Sequence, residues 1–249
     1  LGECRRFVFS DLLYRYLTYR DLEVTHVMNI TDMDDNTIHG SEAAGRSLQE
    51  YTAYFIDRFM EDIRDLNIVS ADLYPKASEH VDDMVNIAEK LYEKGHAYEK
   101  LRSLYFSIGS FSEYGRLSGI DIDKIMLGAT VDLDEYEKNN PRDFTLLKRA
   151  RLSELKRGIY VKTQWGNVRP SWHIQCAAMA MKHLGQTYDI HTSTRELVFP
   201  HHENERAIAK ALTGQPMARY WVHCEQVHAG QTDVSGKKNL LPSLEEIRA

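Results

Sequence analysis

A chain of 249 residues, 43% hydrophobic and 27% charged, is long enough to bury a sizeable core as one large domain or a domain with an insertion. A net charge of −6 does not suit a large nucleic-acid footprint, and the chain shows no apolar run of membrane-spanning length, no signal peptide, no low-complexity stretch and no repeat of fixed period. The three cysteines, Cys4, Cys176 and Cys224, form an odd, sparse set that argues for a reducing, cytoplasmic setting and against a disulfide framework.

Residues 4–17 place Phe7, Leu12, Leu13, Tyr16 and Leu17 at helical spacing and predict an amphipathic helix. The β-rich run Val24-Thr25-His26-Val27-Met28-Asn29-Ile30 predicts a parallel strand. Residues 47–65 read as a second long helix with Tyr51, Tyr54, Phe55, Phe59 and Ile63 along one side, and 81–94 as a third, stopped by Gly95. This rhythm favours an α/β fold with a parallel sheet. From Tyr98 it changes: 98–108 reads as a short hairpin, and Asp143-Phe144-Thr145-Leu146-Leu147-Lys148 as a lone strand. It returns with helix 172–183, strand 187–192, helix 200–213 and strand 220–228. The basic cluster of Lys148, Arg149, Arg151, Lys156 and Arg157 reads as a solvated face, with RNA contact as the alternative.

Two segments carry chemistry: Arg169-Pro170-Ser171-Trp172-His173-Ile174-Gln175-Cys176 and Phe199-Pro200-His201-His202-Glu203-Asn204-Glu205. Pro200 suits the first position of the helix that follows, so His201 and Glu205 fall one turn apart on one face. With the Cys176 thiol they make a sulfur, nitrogen and oxygen set suited to Zn²⁺, and three protein ligands leave a coordination position open, as a working metal requires. Taken singly, Cys176 reads as a buried core thiol and His201 as a helix-end cap.

These segments resemble the catalytic domain of cysteinyl-tRNA synthetase, a class I aminoacyl-tRNA synthetase. Asp189-Ile190-His191 and Asn29-Ile30-Thr31-Asp32-Met33-Asp34-Asp35 extend the similarity, in the family's order, over nearly the whole chain. The resemblance implies zinc ligands Cys176, His201 and Glu205, with a further cysteine N-terminal to Leu1 whose place Cys4 does not take. Zinc separates cysteine from nearly isosteric serine, because a thiol ionises on it and a hydroxyl does not. The resemblance also implies a cysteine pocket of Thr31, Trp172, His173, His191 and His202, with Thr31 on the amino group and Trp172 as a wall. For these residues ordinary core packing is the bland alternative. Asp32, Asp34 and Asp35 look like a Mg²⁺ or Ca²⁺ cluster but are read as structural and amino-acid-binding.

The nucleotide half departs from the family. Its first signature ends here as Leu1-Gly2-Glu3, which retains Gly2 and replaces a histidine by Glu3. A carboxylate about 4 Å from a phosphate costs on the order of 4 kcal/mol even at a surface dielectric. The second signature aligns with Asp233-Val234-Ser235-Gly236-Lys237-Lys238-Asn239, where Ser235 is retained and Lys237 or Lys238 supplies the charge with a one-residue shift. Thr192-Ser193-Thr194 stands where the family has a glycine run. ATP-binding residues are thus Gly2, Ser235 and Lys237, and catalytic residues Lys237 and Lys238.

The expected architecture is α/β: the Rossmann-like parallel sheet of class I aminoacyl-tRNA synthetases with a mixed inserted subdomain. Residues 1–75 are the first half of the catalytic domain, 76–158 the insertion, and 159–249 the second half with the zinc site. The implied function is a cytoplasmic, zinc-dependent cysteine–tRNA ligase using cysteine, ATP with its Mg²⁺ and tRNA, with no membrane partner. The altered signatures keep two alternatives open: a catalytically impaired zinc- and cysteine-binding relative, and a paralogue that ligates cysteine to a small amine.

Overall fold

The computed structural model describes residues 4–122, 138–225 and Leu244. Helix α1 (Cys4–Tyr19) lies against the strands Tyr188–Thr194 and Ala218–Cys224, and Phe7 packs on Phe59 with ring centroids 5.1 Å apart. None of its residues is buried, and Leu12 and Tyr16, expected on the inward face, are exposed. The expected strand after it forms no continuous ladder. It makes two parallel bridges, Val27 with Leu73 and Ile30 with Lys76, and hydrogen bonds such as Ile30 N to Pro75 O at 2.8 Å. Pro75 has no N–H to donate, which limits the pairing on that side.

Helix α2 (Asp35–Ala43) was not predicted; Asp34 caps it, accepting from Thr37 N at 2.8 Å. Helix α3 (Leu48–Asp65) begins with a reciprocal Ser47–Glu50 capping box. Of its aromatic side, Tyr54 and Phe55 remain about half exposed while Ile63 is buried. Helix α4 (Val81–Glu93) buries Met84, Ile87, Ala88 and Leu91 and stops where Gly95 turns left-handed, φ 77°.

The hairpin is β1 (Ala97–Lys100) and β2 (Ser103–Phe106), closed by Leu101 and Arg102, both at positive φ, as a two-residue primed turn requires. Strand β3 (Phe144–Arg149), expected to stand alone, is the centre of an antiparallel sheet ordered β1-β2-β3-β5-β4. It pairs with β2 on one side; its other partner, β5 (Gly166–Pro170), arrives after the short helix α5 (Leu152–Lys156) and strand β4 (Val161–Thr163), which pairs with β5 at the edge. The pairing therefore runs through Pro170, past residue 158, the boundary expected for the insertion. Phe144 to Leu147 are all buried, so both faces of β3 are covered.

Ser171 leads from β5 directly into α6 (Trp172–Leu184), its amide donating to Leu146 O at 2.9 Å. Strand β6 (Tyr188–Thr194), helix α7 (Glu203–Thr213) and β7 (Ala218–Cys224) make a β-α-β unit with parallel pairing from Tyr188–Ala218 to Thr194–Cys224. The helix expected from Pro200 is preceded by a kink: Phe199 is extended (φ −132°, ψ 132°) and a cis bond joins it to Pro200, and α7 proper runs from Glu203. Helices α4, α6 and α7 share one core, where Ala88, Ala177, Ala178, Ala207 and Ala209 allow close helix approach.

Candidate functional site

Helix α6 presents Trp172 and His173 in its first turn and Cys176 one turn later, while Ile174, Ala177 and Ala178 face the core. The turn before α7 delivers His201 and His202, and Glu205 follows one turn after His201. All four of Cys176, His201, His202 and Glu205 are buried. One potential ligand atom each from Cys176, His201 and Glu205 lies within 4.8 Å of the others, and the same holds for His191, His202 and Glu205. Glu205 thus belongs to both groups.

His201 Nε2 is 2.7 Å from Glu205 Oε1, and its Nδ1 is 2.8 Å from His173 Nδ1. The Trp172 ring stacks on His201 at 3.9 Å, interplanar 21°. Asn29 Nδ2 donates to Cys176 Sγ at 3.2 Å. On the other side, His191 stacks on Trp221 at 4.4 Å and meets the Tyr188 hydroxyl at 2.7 Å, while His202 Nδ1 is 2.9 Å from His223 Nε2.

Burial shapes the electrostatics. It pushes the Glu205 carboxyl up to about 7, against a smaller opposing effect of His191. It raises the Cys176 thiol well above its ordinary value, with Glu205 adding to the effect and the Asn29 hydrogen bond opposing it. Burial also lowers His201 to about 3, aided by Arg6, and depresses His191 and His202. Imidazoles held neutral are in the form that ligates a metal. Glu205 Oε2 is buried without a hydrogen-bond partner. A soft thiol, an imidazole and a carboxylate oxygen lacking a partner suit Zn²⁺, whose charge offsets the burial of both anions. The residues present fit the ion.

A cavity of about 150 Å³ is lined by Cys176, Glu205, His191, Tyr188, Asn29 and Thr192. A second, of about 570 Å³, shares Asn29 and Thr192 and is lined also by Thr31, Asp32, Arg6 and Tyr51. The structure therefore brings together Cys176, His201, Glu205, Trp172, His173, His191 and His202, and sets Thr31 in the adjoining cavity. Gly2, Ser235, Lys237 and Lys238 lie outside the described residues.

The acidic run has structural partners. Asp32 accepts from Ser78 N at 2.8 Å, Asp34 caps α2, and Asp35 pairs with Lys148 at 2.7 Å and with Arg169. Of the basic cluster read as a solvated face, Arg149 and Lys156 are exposed, whereas Lys148, Arg151 and Arg157 are tied down. Arg157 donates to Ser41 Oγ at 2.7 Å and Arg151 meets His39 at 3.1 Å. Unforeseen α2 supplies the acceptors.

Sequence reasoning missed Trp221, His223, Tyr188 and Asn29. A signal for the first two existed: Trp221 and His223 alternate along β7 and sit in register with His191 and Ser193 of β6.

The family described as tRNA synthetases class I (C) catalytic domain matches residues 1–245. Cysteine–tRNA ligases of Methanosarcina mazei and Methanosarcina acetivorans are 46% and 47% identical over 247 residues, 99% of this chain and 52% of each relative. That of Thermococcus onnurineus is 41% identical over 238 residues, 96% of the chain and 48% of the relative. The chain spans about half the length of these relatives. Its Rossmann-like α/β fold, its parallel pairings and a match over nearly every residue make it a member of the class I (C) tRNA synthetase catalytic-domain family.

Proposed function

We propose that this chain is the catalytic part of a cysteine–tRNA ligase that selects its amino acid with zinc. The observation that carries the reading is the buried Cys176, His201 and Glu205 set, one ligand atom of each within 4.8 Å of the others, in a chain 46% identical to a cysteine–tRNA ligase. In the reaction, the cysteine carboxylate attacks the α-phosphate of ATP and pyrophosphate leaves. A hydroxyl at the tRNA 3′ end then attacks the activated carbonyl and AMP leaves.

Cys176, His201 and Glu205 hold the zinc, which supplies preferential affinity for a thiolate over a hydroxyl. Trp172 stacks on His201 and walls the amino-acid side, with His173, His191 and His202 shaping the pocket. Held neutral by burial, the His191 and His202 imidazoles add no positive charge that would compete with the ion. Thr31 hydrogen-bonds the substrate amino group from the adjoining cavity. Gly2, Ser235 and Lys237 contact ATP, and Lys237 and Lys238 stabilise charge on the displaced phosphates. The division into halves at 1–75 and 159–249 around an insertion belongs to the same proposal, as does a cytoplasmic setting. Among the described residues no helix is long and apolar enough to cross a membrane.

Glu3, Gly236 and Thr192-Ser193-Thr194, each departing from the family's nucleotide-binding pattern, favour a second reading: a relative that holds zinc and cysteine without adenylating it. Cysteine-dependent ATP–pyrophosphate exchange on the full-length zinc-loaded protein, with serine as control, separates the two. Exchange with cysteine alone supports the ligase. Zinc uptake and cysteine binding without exchange sink it in favour of the second reading.

A further inference from the structure

Four side chains of α7 take no part in the metal set, yet they grip one stretch of the inserted region. Glu203, fully buried, accepts at Oε2 from Leu117 N at 3.0 Å, Ser118 N at 2.9 Å and Ser118 Oγ at 3.0 Å, and at Oε1 from Arg206 at 3.2 Å. Asn204, also buried, accepts from the Tyr114 hydroxyl. Arg206 and Lys210 hold Glu113, with Lys210 at 2.7 Å from its Oε1. At about 100° per residue, Glu203, Arg206 and Lys210 fall on the side of the helix opposite His201 and Glu205. One face of α7 therefore reaches the metal set while the other is bolted to residues 113–118.

The bolt has the features of a specified contact. Gly115 has φ 89°, and a Cβ there would come within 2.9 Å of Ile120 O, so the turn that aims the Leu117 and Ser118 amides at Glu203 needs glycine. A second route joins the same stretch to the site through rings. Tyr114 stacks on Phe144 (6.3 Å, 23°), Phe144 meets His173 edge-on (5.7 Å, 80°), and His173 touches His201.

We propose that Glu203 and Asn204 are positioning residues: by clamping 113–118 they set the rotation and depth of the first turn of α7, and so the zinc affinity and cysteine affinity of the site. This rests on the zinc and cysteine reading above. The clamp makes the inserted region part of amino-acid selection rather than an appendage.

The test uses full-length protein, wild type against Glu203→Gln and Tyr114→Phe. Zinc affinity is read by competition with a chromophoric chelator, alongside thermal stability and KM and kcat in ATP–pyrophosphate exchange. Glutamine replaces part of the acceptor capacity with a donor facing donors, and phenylalanine deletes only the hydroxyl that Asn204 binds. The expected result is zinc binding weaker by ~10-fold in Glu203→Gln, the low end for disturbing a ligand's supports. The cysteine KM should rise while the ATP KM is unchanged, and Tyr114→Phe should move the same quantities in the same direction. If Glu203→Gln does not fold, Tyr114→Phe decides. Variants that lose stability while zinc affinity and cysteine KM stay within twofold of wild type, a margin of about 0.4 kcal/mol, overturn the proposal and leave the zinc reading standing. A wild type that takes up no zinc overturns both.

Discussion

Arg169 is 1% exposed and lies between two carboxylates, Glu154 at 2.8 Å and Asp35, just before the residues that open α6. Glu154 is itself 2% exposed, so Arg169→Met leaves a carboxylate in a dry setting without its guanidinium partner, although it still accepts from the Arg151 amide at 2.7 Å. Removing one partner of a buried pair costs about 3–5 kcal/mol, whereas replacing both by apolar groups is close to neutral. For a chain of this size that is a fall in Tm of roughly 10 °C. The double variant Arg169→Met with Glu154→Leu should recover most of it, since Asp35 keeps Lys148 at 2.7 Å. Denaturant unfolding of the three proteins at pH 7 measures this. A single variant losing under about 1 kcal/mol, or a double variant no more stable than the single, refutes the account of Arg169 as a buried charge held by its partners.

The same network makes an acid-side prediction. Burial alone would raise the Asp35 carboxyl, but Arg169 and Lys148 outweigh it and hold it at about 2 against an ordinary 3.8. A folded-state value below the unfolded one gives stability present above the ordinary value and lost as pH falls through about 4 towards 2. Asp35→Asn should flatten that part of the stability–pH curve, and an unchanged curve refutes it. Cys176→Ala should reduce zinc uptake well below one ion per chain by metal analysis; for wild type, a chelator should remove about 2.7 kcal/mol of stability measured with free zinc 100-fold above its dissociation constant. Gly115→Ala should destabilise by roughly 1–3 kcal/mol in denaturant unfolding, because φ 89° and the Ile120 carbonyl both oppose a side chain. Asp34→Ala should cost about 1 kcal/mol through the lost cap of α2, read the same way.

Several elements were legible because their signal is local. Gly95 after an apolar helical stripe marked the end of α4, and the apolar side of residues 47–65 marked α3. Helix α2 was missed because its sequence, Asp35-Asn36-Thr37-Ile38-His39-Gly40-Ser41-Glu42-Ala43, carries no apolar stripe; it persists through the Asp34 cap and its ties to Arg157. Strand β3 looked solitary because β5, its partner, follows a helix and another strand. Leu12 and Tyr16 satisfied a helical period but found no surface to cover them.

The site divides the same way. The amino-acid sequence alone determined the local spacing of the candidate ligands: His201 and Glu205 fall one helical turn apart, and Cys176 lies one turn beyond Trp172 and His173. Tertiary structure alone decided that α6 and α7 face each other across the Cys176 thiol, and that β6–β7 register sets His191 against Trp221. It also decided that Glu203 holds Leu117 and Ser118 while Glu205, two residues on, faces Cys176 and His201. The physical reason is that spacing along a helix or strand follows from backbone geometry, whereas the partner across a gap is chosen by burial and packing over the whole chain.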